Sequence, residues 1–131
     1  MGITGLAHIG IPVFDVETSK RFYRDMLCMT VLHENELKDR NGSIKVCFMK
    51  NDNMVLELFQ MPVPEAGRKD GHVDHIAFAV KDIDKVRADL ARKGILFEQE
   101  NVVSGALFEN GSRWILFRGP DNELLELNEV L

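Results

Sequence analysis

The sequence predicts an α+β fold made of two tandem copies of a βαβββ unit. The main observation is a repeat, in which a histidine between apolar residues is followed much later by a glutamate between two leucines. His8 and Glu57 form the first such pair and are 49 residues apart, whereas His75 and Glu126 form the second and are 51 residues apart. A period near half the chain length indicates a duplicated unit, because a solenoid needs several shorter repeats.

The first half of the chain predicts a strand, a helix and three further strands. Residues 4–13 alternate in hydrophobicity, as expected for a strand. Asp15 is suited to cap a following helix, whose apolar residues recur at helical spacing and which ends near Cys28. Turn-forming residues then separate three β-rich segments. These segments are residues 30–34, 43–50 and 54–60.

The second half repeats this order after a linker, residues 61–72, that holds two prolines and two glycines. Asp82 repeats Asp15 at the same offset of 67 residues that separates the two histidines, and it is suited to cap the second helix. Gly94 is a natural stop for that helix. The expected strands are residues 73–80, a strand that starts at 95–98, residues 113–118 and residues 123–128. We expect a loop around Ser104-Gly105. The predicted organisation is one domain with modules 1–60 and 73–131.

Composition restricts the classes of protein that the chain can represent. Its 131 residues are enough to bury a core, and 45% hydrophobic with 28% charged residues are ordinary for a globular protein. A net charge of −5 argues against a nucleic-acid partner. A membrane span would need an apolar run of about 18 residues, and the sequence contains none. A leader pattern is not visible either. Cys28 and Cys47 have no metal-binding spacing, so we expect free thiols in a cytoplasmic protein.

Side-chain alternation predicts that the repeated histidines and glutamates lie on the less crowded face of each sheet. A small residue shares the face of each histidine, Gly10 in the first copy and Ala77 in the second. Leucines flank each glutamate and point to the opposite face. Because a carboxylate buried without a partner is costly, two such glutamates call for a cation. The pattern therefore predicts one divalent-metal site with two nitrogen and two oxygen ligands, formed by His8, Glu57, His75 and Glu126.

Aromatic residues are the expected walls of a pocket beside these ligands. Phe59 shares a face with Glu57 by alternation, whereas the facing of Phe48 and Trp114 is left open. His33 and His72 have no counterpart in the other half, and we interpret both as surface residues.

These motifs resemble the vicinal oxygen chelate superfamily, which includes glyoxalase I, methylmalonyl-CoA epimerase, extradiol dioxygenases, fosfomycin resistance enzymes and bleomycin-binding proteins. The resemblance covers nearly the whole chain. It rests on the motifs HIGI (8–11), FYRDML (22–27), LEL (56–58), VDHIAF (73–78), and GPDNE (119–123) leading into LEL (125–127).

The resemblance implies two curved mixed sheets that form a cleft around the metal, and it favours glyoxalase I by the ligand order His, Glu, His, Glu. The epimerase typically has glutamine where this chain has Glu57, and bleomycin-binding members lack the ligand set. Pro12 and Met61 stand where glyoxalase I has glutathione-contacting arginine and asparagine residues. Family members are commonly dimers, so a homodimer that binds a small-molecule substrate is expected.

The chemistry expected of such a site is proton transfer next to a carbonyl. A divalent metal, nickel, zinc, cobalt or manganese, would hold two substrate oxygens and stabilise an enediolate. Glu126 is the principal base by family analogy, and Glu57 is the second. We therefore expect an isomerase or lyase of glyoxalase I type acting on a small hydroxy-carbonyl compound or a thioester. The alternatives are an acyl-CoA epimerase, with Arg68-Lys69 as a basic patch, and a non-catalytic antibiotic- or ligand-binding module.

Overall fold

A computed structural model describes residues 2–131 and divides the chain into two compact units. Unit 1 ends at Ala66, and unit 2 comprises Gly67–Leu131. Unit 1 contains β1 (Ile9–Pro12), α1 (Val16–Leu27), β2 (Thr30–Asp39), β3 (Gly42–Asn51) and β4 (Met54–Gln60). Unit 2 contains β5 (Ile76–Ala79), α2 (Ile83–Arg92), β6 (Val103–Gly105), β7 (Ser112–Arg118) and β8 (Leu124–Val130). The predicted α+β fold with two βαβββ units is confirmed.

Each unit has one mixed sheet, and the two sheets share one topology. The strand orders are β1-β4-β3-β2 and β5-β8-β7-β6. The first strand of each unit is parallel to the last, and the other pairs are antiparallel. Gly10 lies opposite Glu57 in unit 1, as Ala77 lies opposite Glu126 in unit 2. The repeat seen in the sequence is therefore also a repeat of backbone register.

Both helices begin at the predicted aspartates. Asp15 accepts a hydrogen bond from the backbone N–H of Glu17 at 3.1 Å, and Asp82 accepts one from the backbone N–H of Lys85 at 3.1 Å. Each carboxylate satisfies an otherwise unpaired N–H of the first helical turn. Neither helix within residues 2–131 is long and apolar enough to cross a membrane.

The leucines that flank each glutamate form the centre of each core. Leu56 and Leu58 are 0% exposed, and Leu125 and Leu127 are 0% and 2% exposed. The helix of each unit packs on the strand that carries them, α1 on β4 and α2 on β8. Burial of one such side chain stabilises the fold by about 1.5–3 kcal/mol. This packing directs the leucines to the helix side, and alternation directs the glutamates to the other side.

Five predicted elements differ from the observed ones, and the first is β2, which continues to Asp39 instead of ending at residue 34. Strands β1 and β5 are shorter than predicted and begin immediately after His8 and His75. The predicted strand at 95–98 is only an isolated bridge between Phe97 and Phe117. The predicted loop around Ser104-Gly105 is wrong, because Val103–Gly105 pairs with β7 as β6. Glycine disfavours a strand locally, so pairing with β7 overrides the local preference here.

The segment that links the two halves of the sequence is partly attached to unit 2. Residues 61–72 contain neither helix nor strand. Arg118 on β7 pairs with Asp70, with its Nη1 2.6 Å from Asp70 Oδ1, and Asn122 Nδ2 donates to the carbonyl of Arg68 at 3.3 Å. These contacts attach the end of the segment to the β7–β8 part of unit 2.

Candidate metal centre

In unit 1, parallel pairing of β1 with β4 brings one histidine and one glutamate together. His8 immediately precedes β1, and Glu57 lies in β4 opposite Gly10. The Nε2 atom of His8 is 3.9 Å from Oε2 of Glu57, and the side chains are 43% and 28% exposed. A Cβ on Gly10 would lie 3.6 Å from Oε1 of Glu57 and 3.5 Å from the Phe59 ring. The glycine therefore leaves open the space beside the carboxylate.

In unit 2, the equivalent strands bring the second pair together more closely. His75 immediately precedes β5, and Glu126 lies in β8 opposite Ala77. The Nε2 atom of His75 is 3.1 Å from Oε2 of Glu126. Glu126 is only 8% exposed, and it is the one charged residue that is buried among residues 2–131. A carboxylate so placed needs a partner on the open side of the sheet.

Two further polar side chains contact the pair in unit 2. Oδ2 of Asp74 lies 2.8 Å from Nδ1 of His75, and Asn128 Nδ2 donates to Oε1 of Glu126 at 2.6 Å. These two contacts hold the His75 ring and the Glu126 carboxylate from the sides that face away from each other. The sequence analysis missed both contacts. The alternation rule could have found Asn128, because it lies two residues after Glu126 on the same face.

The three predicted pocket aromatics each share a sheet face with the glutamate of their own unit. The Phe48 ring meets the His8 ring edge-on, with centroids 5.5 Å apart, and Phe48 lies opposite Glu57 in the sheet. Trp114 lies opposite Asn128, so both side chains stand on the same face of the sheet. The structure thus settles the facing of Phe48 and Trp114 that the sequence left open. His33 and His72 are exposed, and within residues 2–131 they belong to neither pair.

The spacing within each pair allows a test of whether a metal fits. Two ligands about 2.1 Å from one ion are roughly 3.0 Å apart at a right angle and roughly 3.4 Å apart at the tetrahedral angle. The 3.1 Å pair of unit 2 already has this spacing, and the 3.9 Å pair of unit 1 needs only a side-chain adjustment. In neither unit, across residues 2–131, do three or more His, Cys, Asp or Glu side chains converge on one point. Each unit therefore offers one nitrogen and one oxygen ligand of a kind that fits a divalent cation.

Comparison with known proteins identifies the family. A model of the Glyoxalase/Bleomycin resistance protein/Dioxygenase superfamily matches residues 5–127. The chain belongs to this superfamily, and the match includes both histidine–glutamate pairs. The uncharacterized protein YwkD of Bacillus subtilis (strain 168) is 35% identical over 132 residues, with 98% of this chain and 99% of that protein covered.

Solved structures show the same fold. A glyoxalase family protein from Enterococcus faecalis is 26% identical, with a TM-score of 0.79, and the match covers 98% of this chain and 100% of that one. The fosfomycin resistance protein FosX from Listeria monocytogenes, in a crystal structure with Mn(II) and sulfate, is 20% identical with a TM-score of 0.73, covering 98% and 94%. TnmS3, an antibiotic-binding protein from Streptomyces sp. CB03234, is 21% identical with a TM-score of 0.72, covering 100% and 99%. The same fold thus occurs in a protein crystallised with Mn(II) and in an antibiotic-binding protein.

Proposed function

We propose that the protein is a metal-dependent isomerase or lyase of glyoxalase I type. Its substrate is a small hydroxy-carbonyl compound or a thioester with a mobile proton next to the carbonyl. One divalent transition metal per chain is held by His8, Glu57, His75 and Glu126. The observation that carries the proposal is the presence of the same histidine–glutamate pair at the same register in both units.

The ligand chemistry supports a metal rather than a structural ion pair. An isolated histidine–glutamate pair is common in proteins, but two such pairs in equivalent positions match the ligand types expected of one N2O2 divalent site. A metal bound there would supply a Lewis acid that polarises a substrate carbonyl. The donor set is compatible with nickel, zinc, cobalt or manganese. Affinity alone does not determine which of these metals a cell supplies.

The protein's own residues would provide proton transfer and exclusion of water. Glu57 and Glu126 are the two carboxylates that can take a proton from the substrate and return it, and the family resemblance favours Glu126 as the principal base. Return to the adjacent carbon gives isomerisation, whereas return by the other carboxylate to the opposite face gives epimerisation. Phe48, Phe59 and Trp114 are the proposed apolar walls around the substrate. We further propose a cytoplasmic homodimer.

Metal content is the first test. The wild type, purified without chelator, is analysed by inductively coupled plasma mass spectrometry beside His8→Ala and Glu126→Ala variants. We expect about one transition-metal ion per chain in the wild type and loss of most metal in both variants. His72→Ala is the matched control, because it removes an exposed histidine outside both pairs and should keep the metal. A wild type that lacks metal and takes none up on reconstitution would refute the four-ligand site and favour a ligand-binding module.

Proton exchange tests the reaction class before the natural substrate is known. The metal-loaded protein is incubated in D₂O with hydroxyacetone, dihydroxyacetone or a lactoyl thioester, and loss of the proton next to the carbonyl is followed by NMR. Glu126→Gln should slow exchange by about 10²–10⁴-fold, the usual contribution of a general base. Scrambled configuration of a chiral probe would identify an epimerase, and a shifted carbonyl would identify an isomerase. Tight binding of these probes without any exchange would contradict the catalytic proposal.

A further inference from the structure

The two histidine–glutamate pairs are equivalent in the backbone but not in their surroundings. In unit 2 four side chains form a continuous series of polar contacts. The series runs from Asp74 to His75, Glu126 and Asn128, with separations of 2.8, 3.1 and 2.6 Å. Every polar atom of the histidine ring and of the glutamate carboxylate therefore has a defined neighbour. These contacts fix the rotamers of His75 and Glu126, because each of the two side chains is held from the side that faces away from the other.

Among residues 2–131, no equivalent contacts support the pair in unit 1. The residue before His8 is Ala7, in the place that Asp74 occupies before His75. The residue two positions after Glu57 is Phe59, in the place that Asn128 occupies after Glu126. The side chain of Glu57 is also more exposed than that of Glu126, 28% against 11%, and its distance from the histidine is longer, 3.9 Å against 3.1 Å.

We propose that Asp74 and Asn128 are positioning residues that hold His75 and Glu126 in ligating geometry, so that unit 2 determines most of the metal affinity. This inference rests on the proposed metal site. The Asp74 carboxylate holds the His75 ring through Nδ1, which leaves Nε2 as the ring atom that faces Glu126 and is available to a metal. Asn128 engages Oε1 of Glu126, which leaves Oε2 as the oxygen that faces the histidine.

A purely structural role for Asp74 is the competing explanation, and the exposure of its side chain argues against it. That side chain is 64% exposed, and an ion pair in such a position contributes little to folding stability. Orientation of a metal-ligating histidine does not need burial, since it acts on the position of the ring rather than on packing. The structural role and the positioning role of Asp74 therefore predict different effects of its replacement on folding stability and on metal affinity.

The test measures binding of cobalt(II) alone, by competition with a chelating dye, for the wild type, Asp74→Asn, Asn128→Ala and Asp74→Glu. We expect about a tenfold or greater loss of affinity for the first two variants. The visible absorption of the bound cobalt should also change in both, because the ligand geometry changes. Asp74→Glu should recover part of the affinity, since it restores a carboxylate near Nδ1. Glu36→Gln, which removes an exposed acid of β2, is the control and should bind like the wild type.

The urea concentration at the midpoint of unfolding, measured for each metal-free protein, distinguishes a loss of metal affinity from a loss of folding stability. We expect Asp74→Asn and the wild type to unfold at the same urea concentration. Affinities within twofold of the wild type in both variants, with cobalt bound normally by the wild type, would overturn the positioning role and leave the metal site standing. Loss of affinity in proportion to loss of metal-free stability would also overturn it. A wild type that binds no cobalt would refute the metal site and this inference together.

Discussion

Replacement of Cys28 by glycine should stabilise the protein, because Cys28 ends α1 in a left-handed conformation. Its φ angle is 55° and its ψ angle is 31°. The following residue, Met29, donates its N–H to the carbonyl of Tyr23 at 3.0 Å, which keeps the chain in this turn. A side chain costs about 1–2 kcal/mol in the left-handed region, whereas glycine pays no steric cost there.

The net effect is smaller than the steric term, because glycine also gains freedom in the unfolded chain, which offsets about 0.4–1 kcal/mol. We therefore expect Cys28→Gly to raise the free energy of unfolding by roughly 0.5–1 kcal/mol. With an unfolding entropy of about 2.1 cal/mol/K for each of 131 residues, this corresponds to a rise of roughly 2–4 °C in Tm. Thermal unfolding followed by circular dichroism measures it.

Two matched variants isolate the conformational cause. Cys28→Ala removes the exposed thiol but keeps a Cβ, so its Tm should stay close to that of the wild type. Gly94 follows α2 at a φ angle of 96° with open space around its Cβ position, so Gly94→Ala should lower Tm by a similar 2–4 °C through backbone strain alone. A Cys28→Gly protein that is less stable than Cys28→Ala would refute the left-handed helix end.

Three other outcomes follow from the structure. Burial, the largest cause, and the nearby Glu34 charge raise the pKa of the Cys47 thiol to about 11, so a thiol reagent at pH 8 should label one cysteine quickly, Cys28, and Cys47 only after unfolding. Leu58→Ala should lower the free energy of unfolding by about 2–5 kcal/mol in urea titrations, because Leu58 is fully buried; a cost below 1 kcal/mol would contradict its core position. A hydrogen bond from Arg113 holds the pKa of Asp84 below its ordinary value, so this pair stabilises the fold above about pH 4 and its contribution is lost as the pH falls through the lowered pKa. Asp84→Asn should therefore be less stable than the wild type at pH 7, and the difference should shrink toward pH 2; a difference that grew on acidification would contradict the pairing.

The helix starts and the repeated register could be predicted because they depend on local chemistry. An aspartate directly before an amphipathic run favours a helix start, and both predicted caps form. Leucines on both sides of a glutamate in a strand predict opposite faces by alternation alone, and the buried leucines confirm it. The family followed from the same repeated motifs, and the match over residues 5–127 confirms it.

What the sequence determined by itself is therefore the set of elements, the duplication and the residues that belong together, since these follow from spacing and from side-chain chemistry. What only the tertiary structure decided is how each pair is supported. Strand pairing opposite β7 produced β6 from a segment with weak local preference. The contacts of Asp74 and Asn128 make the two pairs unequal although their motifs are alike. The residues that differ are visible in the sequence, but whether they contact the pairs depends on side-chain packing, which one-dimensional spacing does not contain.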